Sequence, residues 1–369
     1  MIYLDSAATS MQKPVAVERA MVHALRNYAS PGRGGHKPSL AAAKAVFDCR
    51  EAAAELFNVE DSSCVVFTYN ATHALNIAIN SLLRPGGRVL VSGFEHNSVT
   101  RPLVALNAKI EVAGRKLFDR KNTLEEFAEK IPHADLVICT HVSNVFGYIL
   151  PVYEIGEMCR SAGVPFIVDA SQSAGILDVD AKRLHADFIA MPGHKGLMGP
   201  QGTGILLCMG EAKPFLHGGS GSDSISQTMP SFLPDRLEAG THNVCGIAGL
   251  LEGIKYVKSK GTSAILRHER KLLEHMIEML DMAGLELYTG NEQSGVLSFR
   301  SDRINCEELA GELGRRGICV RAGLHCAPLA HHSAGSLESG TVRLSFSPFI
   351  NDSQIIRAAD NIKQIINNA

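Results

Sequence analysis

The residues most able to do chemistry are scattered through this 369-residue chain, but each follows a similar local pattern. Lys195 sits in "GHKGLMGPQGTG", a glycine-rich loop between two short apolar runs, with His194 directly before it. Asp169 ends the apolar run "PFIVD", and Gln172 follows in "ASQSAG". His96 lies in "GFEHNS" after "RVLVS", Asn144 in "THVSNVFG" after "LVICT", and Thr72 in "YNATHAL" after "CVVFT". Singly, each has an ordinary explanation: Thr72 as a helix cap, His96 as a surface or core histidine, Asp169 as a turn residue, Lys195 as a solvated lysine. Together they supply a hydroxyl and backbone N–H groups at a helix start for an anion, and a flat ring to stack. They also supply a carboxylate for a pyridinium nitrogen and an amine for a Schiff base. That set is the chemistry of a pyridoxal 5'-phosphate site, where the carboxylate keeps the ring nitrogen protonated and the freed lysine moves a Cα proton.

The elements that must position these groups are legible as seven short apolar runs between about residues 60 and 210: 64–68, 88–92, 109–113, 136–140, 165–169, 188–191 and 204–208. Several are separated by helix-like stretches. Leu75, Ile79, Leu82 and Leu83 mark one helical face, which stops at "RPGG". Continuous apolar strands alternating with helices predict an α/β fold with a mostly parallel sheet covered on both faces. Ligands of such sheets bind beyond the carboxyl ends of the strands, where the polar residues above fall. The Lys195 loop is too short for a helical crossover, so "GILLC" is expected to return antiparallel. Beyond about residue 255 the pattern changes to a long helix, strand–strand–helix–strand signals, "TVRLSF" and a last helix with Ile355, Ala359, Ile362 and Ile366 on one face. The expected division is a large domain over 11–255 and a small α+β domain from 1–10 and 256–369.

Composition narrows the class. Hydrophobic residues are 45% and charged residues 20%, with a formal net charge of -2, so nothing suggests nucleic acid or an anionic membrane as partner. No apolar run is long enough to span a bilayer, and the first residues lack a signal-peptide pattern, so a cytoplasmic location is expected. Nine cysteines without a CxxC pair point to reduced thiols. GxGxxG, GxxxxGK[ST] and HExxH are absent, and the histidine and cysteine spacings match no common zinc pattern, so no metal is expected.

Ordered blocks run almost the length of the chain: "YLDSAATSMQKP", "RGGH", "EHNS", "THVSNVFG", "VDASQSAG", "GHKGLMGPQGTG", "EAGTHN" and "VRAGLHCAP". Through them the chain resembles the class V branch of fold-type I pyridoxal-phosphate enzymes, specifically the cysteine desulfurase/selenocysteine lyase group. The resemblance implies that Lys195 carries the cofactor, Asp169 pairs with its ring nitrogen, Gln172 bonds the ring oxygen and His96 stacks on the ring. Thr72 and His194 would hold the phosphate, and Thr241 would reach a phosphate across a homodimer interface. Asn144 would lie near the substrate carboxylate, Arg343 would grip it bidentately, and Arg321 and His36 would line the substrate mouth. Cys326 would accept sulfur, with Arg321 and His325 lowering its pKa. The implied reaction converts L-cysteine to L-alanine and leaves a persulfide on Cys326. A selenocysteine lyase uses the same residues, and a class V aminotransferase or C–S lyase would leave Cys326 incidental. The short connection from Cys326 to Arg343 resembles the group that hands sulfur to a separate acceptor protein. The chain departs from the family pattern at Pro192 and Ala71, each replacing a hydroxyl residue of the phosphate cup, and in "EHNS", which lacks a second histidine.

Overall fold

The computed structural model describes residues 1–32 and 34–369; Arg33 of the "RGGH" block lies outside the described residues. Seven strands form one sheet: Val65–Thr68, Arg88–Ser92, Lys109–Ala113, Leu136–Thr140, Phe166–Asp169, Phe188–Pro192 and Gly204–Cys208. They coincide with the seven apolar runs to within a residue at each end. Gly204–Cys208 is antiparallel to both its neighbours, Val65–Thr68 and Phe188–Pro192, and the other six strands are parallel to one another.

The apolar character of these strands follows from burial on both faces. Val65, Phe67, Leu90, Val137, Val168 and Ile189 join one hydrophobic cluster. Val66, Val89, Val91, Ile138, Ile167 and Phe188 join another on the opposite face. The assignment alternates residue by residue, as the two-residue period of a strand requires. The predicted helix over this sheet is Ala71–Leu82, with Leu75 and Ile79 fully buried.

A separate core unites both ends of the chain. Ile2 and Leu4 pack with Leu272, Met276, Leu297, Leu309, Leu344 and the last helix, Asp352–Asn368. Ile355, Ala359, Ile362 and Ile366 are fully buried on that helix, as the periodicity predicts. The run "ICVRAG" is not one strand: Ile318–Cys319 pairs with Ile2–Tyr3, whereas Arg321–Gly323 pairs with Thr341–Ser345 in a four-stranded sheet. The two cores meet where Tyr288, Ala327 and Ala330 pack against the large one. Among the described residues no helix is long and apolar enough to cross a membrane, and no group of acidic, histidine or cysteine side chains could hold a metal.

Candidate active site

Because six strands run parallel, their carboxyl ends share one edge of the sheet, and five of them, all but Lys109–Ala113, deliver polar groups to one cavity of about 210 Å³. Its lining includes Ala71, Thr72, His96, Asn144, Asp169, Gln172, Pro192, His194 and Lys195. Nine of the residues read from the sequence thus come together here.

The lysine loop is packed rather than supple. Leu197 and Met198 are buried, and the loop closes on itself through Gly193 N–H to Thr203 O (2.8 Å) and Gly199 N–H to Gly193 O (2.8 Å). A Cβ at Gly193 would collide with the Thr203 hydroxyl, so the glycine permits the fold-back. Ser10 ties the N-terminal segment to this loop, its hydroxyl donating to His194 O (2.9 Å). Protein encloses the Lys195 amine, and this desolvation lowers its pKa to about 8, opposed by the nearby Asp169 charge. Asp169, on the neighbouring strand, is 2% exposed. One of its oxygens accepts the Ser171 N–H (2.9 Å).

His96 caps the helix Asn97–Ala105, its Nδ1 accepting the Ser98 N–H at 3.0 Å. Burial pushes its pKa down to about 4, so the ring is neutral and carries its proton on Nε2. His194 is lowered to about 4 by burial, reinforced by Lys195 and Lys13, and its Nδ1 meets the Thr9 hydroxyl at 3.0 Å. At the start of Ala71–Leu82, Asn70 takes up the His73 N–H (2.9 Å). Among the described residues the Ala71 and Thr72 N–H groups have no protein partner, leaving them for an anion. The Thr72 hydroxyl meets that of Ser98 at 2.9 Å.

These features fit pyridoxal phosphate: two free N–H groups with a hydroxyl at a helix start, a carboxylate on the floor, and an enclosed amine without a hydrogen-bond partner among the described residues. Pro192 lines the cavity and contributes no N–H donor.

Beside the cavity, Cys326 is exposed at a turn where it and His325 both take left-handed backbone angles, φ 55° and 49°. The turn is pinned at two points. Cys326 O accepts the N–H of Asn97, the residue after His96 (2.8 Å), and Asn144 Nδ2 donates to His325 O (2.9 Å). Asn144 O in turn accepts Arg343 Nη1 (2.9 Å), and Arg343 Nη2 donates to Asp5 (2.6 Å).

The expectations for Arg343, His325 and His36 need revision. Arg343 is 2% exposed and both terminal nitrogens are engaged, so it is not a free fork; among the described residues only its buried Nε has no partner. Asn144 lines the cavity as expected and in addition positions the Cys326 turn. His325 cannot supply positive charge to Cys326, because burial, aided by Arg343, drives its pKa to about 2 while Nε2 rests against Thr341. His36 caps the helix Lys37–Leu56 and does not line the cavity. Arg321 is exposed and lies opposite Arg343 across the small sheet. Thr241 is exposed in a different cleft, next to a segment held by the buried pair Arg50–Glu238 (2.9 Å). Sequence reading assigned no role to Asp5, although it lies in the quoted "YLDSAAT" block. Its partner stands 338 positions away, beyond any local pattern.

The aminotransferase class-V family profile matches residues 2–357. The chain belongs to that family of pyridoxal-phosphate enzymes. A probable cysteine desulfurase of Methanothermobacter thermautotrophicus is 34% identical, the match covering 99% of this chain and 94% of the relative. Another, of Pyrococcus abyssi, is 35% identical over 94% of this chain and 89% of the relative. The apo structure of a cysteine desulfurase from Thermococcus onnurineus superposes with a TM-score of 0.92 at 32% identity, covering 100% of this chain and 95% of the other. Class-V membership agrees with the resemblance read from the sequence motifs.

Proposed function

We propose that this protein is a cysteine desulfurase, converting L-cysteine to L-alanine and leaving a persulfide on Cys326. The observation that carries this reading is the Cys326 turn: an exposed thiol anchored, through Asn97, beside His96 and the cavity that holds Lys195. A C–S lyase or aminotransferase has no use for a thiol held there.

When bound, pyridoxal phosphate supplies an electron sink for the substrate Cα. Lys195 would carry it, Asp169 would hold the proton on its ring nitrogen, Gln172 would face its ring oxygen, and His96 would stack on its face. The Ala71 and Thr72 N–H groups, the Thr72 hydroxyl and neutral His194 would receive the phosphate, and Thr241 would serve a second subunit's phosphate in a homodimer. Arg343 would take the substrate carboxylate by exchanging one of its present contacts, with Arg321 at the mouth. The Lys195 amine, with its pKa brought down to about 8, is deprotonated often enough near neutral pH to accept the Cα proton. Cys326 Sγ would then attack the substrate sulfur: an S–S bond forms, the C–S bond breaks with its electron pair going to carbon, and that carbon takes up a proton. The two cores support a division into domains 11–255 and 1–10 with 256–369. Nine unpaired cysteines suit a reducing cytoplasm, and the exposed persulfide suits transfer to an acceptor protein.

The test is direct. Purified protein given pyridoxal phosphate should develop a visible absorbance band that borohydride removes, leaving the label on Lys195. L-cysteine should yield L-alanine, and Cys326→Ala should abolish that yield. Alanine formation undiminished in Cys326→Ala, or pyruvate as the product, would sink the persulfide reading. Faster turnover of selenocysteine than of cysteine would mark a selenocysteine lyase.

A further inference from the structure

Behind Lys195 lies a second cavity, of about 30 Å³, that the reaction above does not use. Lys195 and Gln172 line both cavities and so form the wall between them. Most of its lining is apolar, but Ser6, Ser294 and Ser347 contribute hydroxyls and Glu269 contributes a carboxyl. Glu269 is 3% exposed and, among the described residues, makes no hydrogen bond or ion pair. The Ser6 hydroxyl is likewise buried without a partner. A helix of the small domain, Thr262–Leu280, places a carboxyl here, and the opposing chain makes room for it. A Cβ at Gly295 would stand 2.6 Å from Glu269 Cβ and 2.9 Å from its Oε2.

An unpaired buried carboxyl is costly unless it is neutral and hydrated. A space of this size holds one or two water molecules, and these polar groups offer the two to four partners each requires. Burial raises the Glu269 pKa to about 8, which keeps it protonated near neutral pH. Among the described residues, Lys195 is the only other titratable group lining the chamber. The neighbours of Glu269 on its own helix are turned to other work, with His268 Nε2 at Ile350 O (2.9 Å) and Arg270 Nε donating to Gln293 O (2.8 Å).

The geometry points to a proton relay: Glu269, through water held by Ser6 and its neighbouring hydroxyls, exchanges protons with the Lys195 amine from the side away from the substrate. The inference rests on Lys195 being the amine that moves the Cα proton. The desulfuration supplies the balance. Protons leave the substrate Cα and a thiol, and protons enter the substrate Cβ and Cα, so an amine serving several of these transfers must be reset between them. Glu269 would give up its proton to the amine and regain one, with no net change. It is a positioning and relay residue acting through Lys195, without touching substrate.

Glu269→Gln keeps the shape and removes the exchangeable acid. In the holoenzyme it should lower kcat roughly tenfold, keep KM within about twofold, and enlarge the solvent deuterium isotope effect. A second reading needs no turnover. Isotope-edited infrared spectra of the purified protein, with and without cofactor, should show a protonated carboxyl band near neutral pH. That band should vanish in Glu269→Gln and shift in Lys195→Met. If Glu269→Gln does not fold, Ser6→Ala, which removes the unpartnered hydroxyl, should lower kcat about twofold with the same isotope signature. Unchanged kcat and isotope effect in the folded variant, or a band indifferent to Lys195→Met, would overturn the relay. Failure of the proposed function looks different: no absorbance band and no alanine in the unmodified protein.

Discussion

Lys195 and Cys326, the two nucleophiles of the proposed reaction, are held in opposite ways. Lys195 is enclosed at the edge of the large sheet, in a loop whose neighbours Leu197 and Met198 are buried. Cys326 stands exposed on a left-handed turn of the small domain, tied down by two hydrogen bonds to the turn's carbonyls, from Asn97 N–H and the Asn144 side chain. Enclosure serves an amine that must lose its charge to act, since desolvation disfavours the protonated form. Exposure serves a thiol that must first reach a substrate and then pass its sulfur on. The difference also shows in neighbouring charge: Asp169 acts on Lys195, whereas the histidine beside Cys326 is held neutral.

The sharpest test of this contrast is removal of the enclosed amine. Lys195→Ala should fold normally and lose activity by ~10³-fold or more, measured as alanine release. Removing the exposed thiol separates the roles. Cys326→Ser should keep the cofactor absorbance and the spectral response to L-cysteine, yet lose ~10²- to 10³-fold in alanine formation. A matching loss of the absorbance band would break the contrast by showing that the two groups do not act separately.

The electrostatic half is tested with Asp169→Asn. The Asp169 carboxylate raises the Lys195 pKa against desolvation, so its removal should move that pKa lower still. In cofactor-free protein, the rate at which the Lys195 amine is reductively methylated should rise with pH to a midpoint near 8, and at a lower pH in Asp169→Asn. Activity should fall by ~10²-fold, because the ring nitrogen loses its counter-charge. The smallest effect belongs to the pinned turn. Asn144→Ala frees His325 O, so iodoacetamide should alkylate Cys326 with altered kinetics, within about fivefold, while the Lys195 titration stays in place. A shift of that titration would mean that turn and lysine loop are one unit.

The sheet and the cavity were legible because their signals are local. An apolar run is the direct imprint of a strand buried on both faces, and a polar residue just beyond its carboxyl end is the imprint of a site at the sheet edge. Thr72, His96, Asp169 and Lys195 were found this way. Other features had no such imprint. The contact from Asp5 to Arg343 joins distant segments, and the engagement of Arg343 is invisible without it. Glu269 sits in a helix rich in charged residues, where one glutamate that faces inward looks like its solvated neighbours. His36 read as a mouth residue because it belongs to a recognisable block, whereas locally it satisfies the start of a helix. His325 read as a cation because its partner Thr341, 16 residues on, was not in view.

The pairing of Ile2–Tyr3 with Ile318–Cys319 has a consequence for how the chain matures. Every strand of the large sheet lies within residues 65–208, so that sheet can assemble while the ribosome is still at work. The first residues must wait for a partner segment synthesised more than 300 positions later, and Asp5 must wait for Arg343. Closing so long a loop is slow. The lysine loop can therefore form early, whereas the Arg343 clamp and the Cys326 turn are completed last. A chain interrupted before residue 318 would hold the machinery for the cofactor without the thiol or the grip on the substrate.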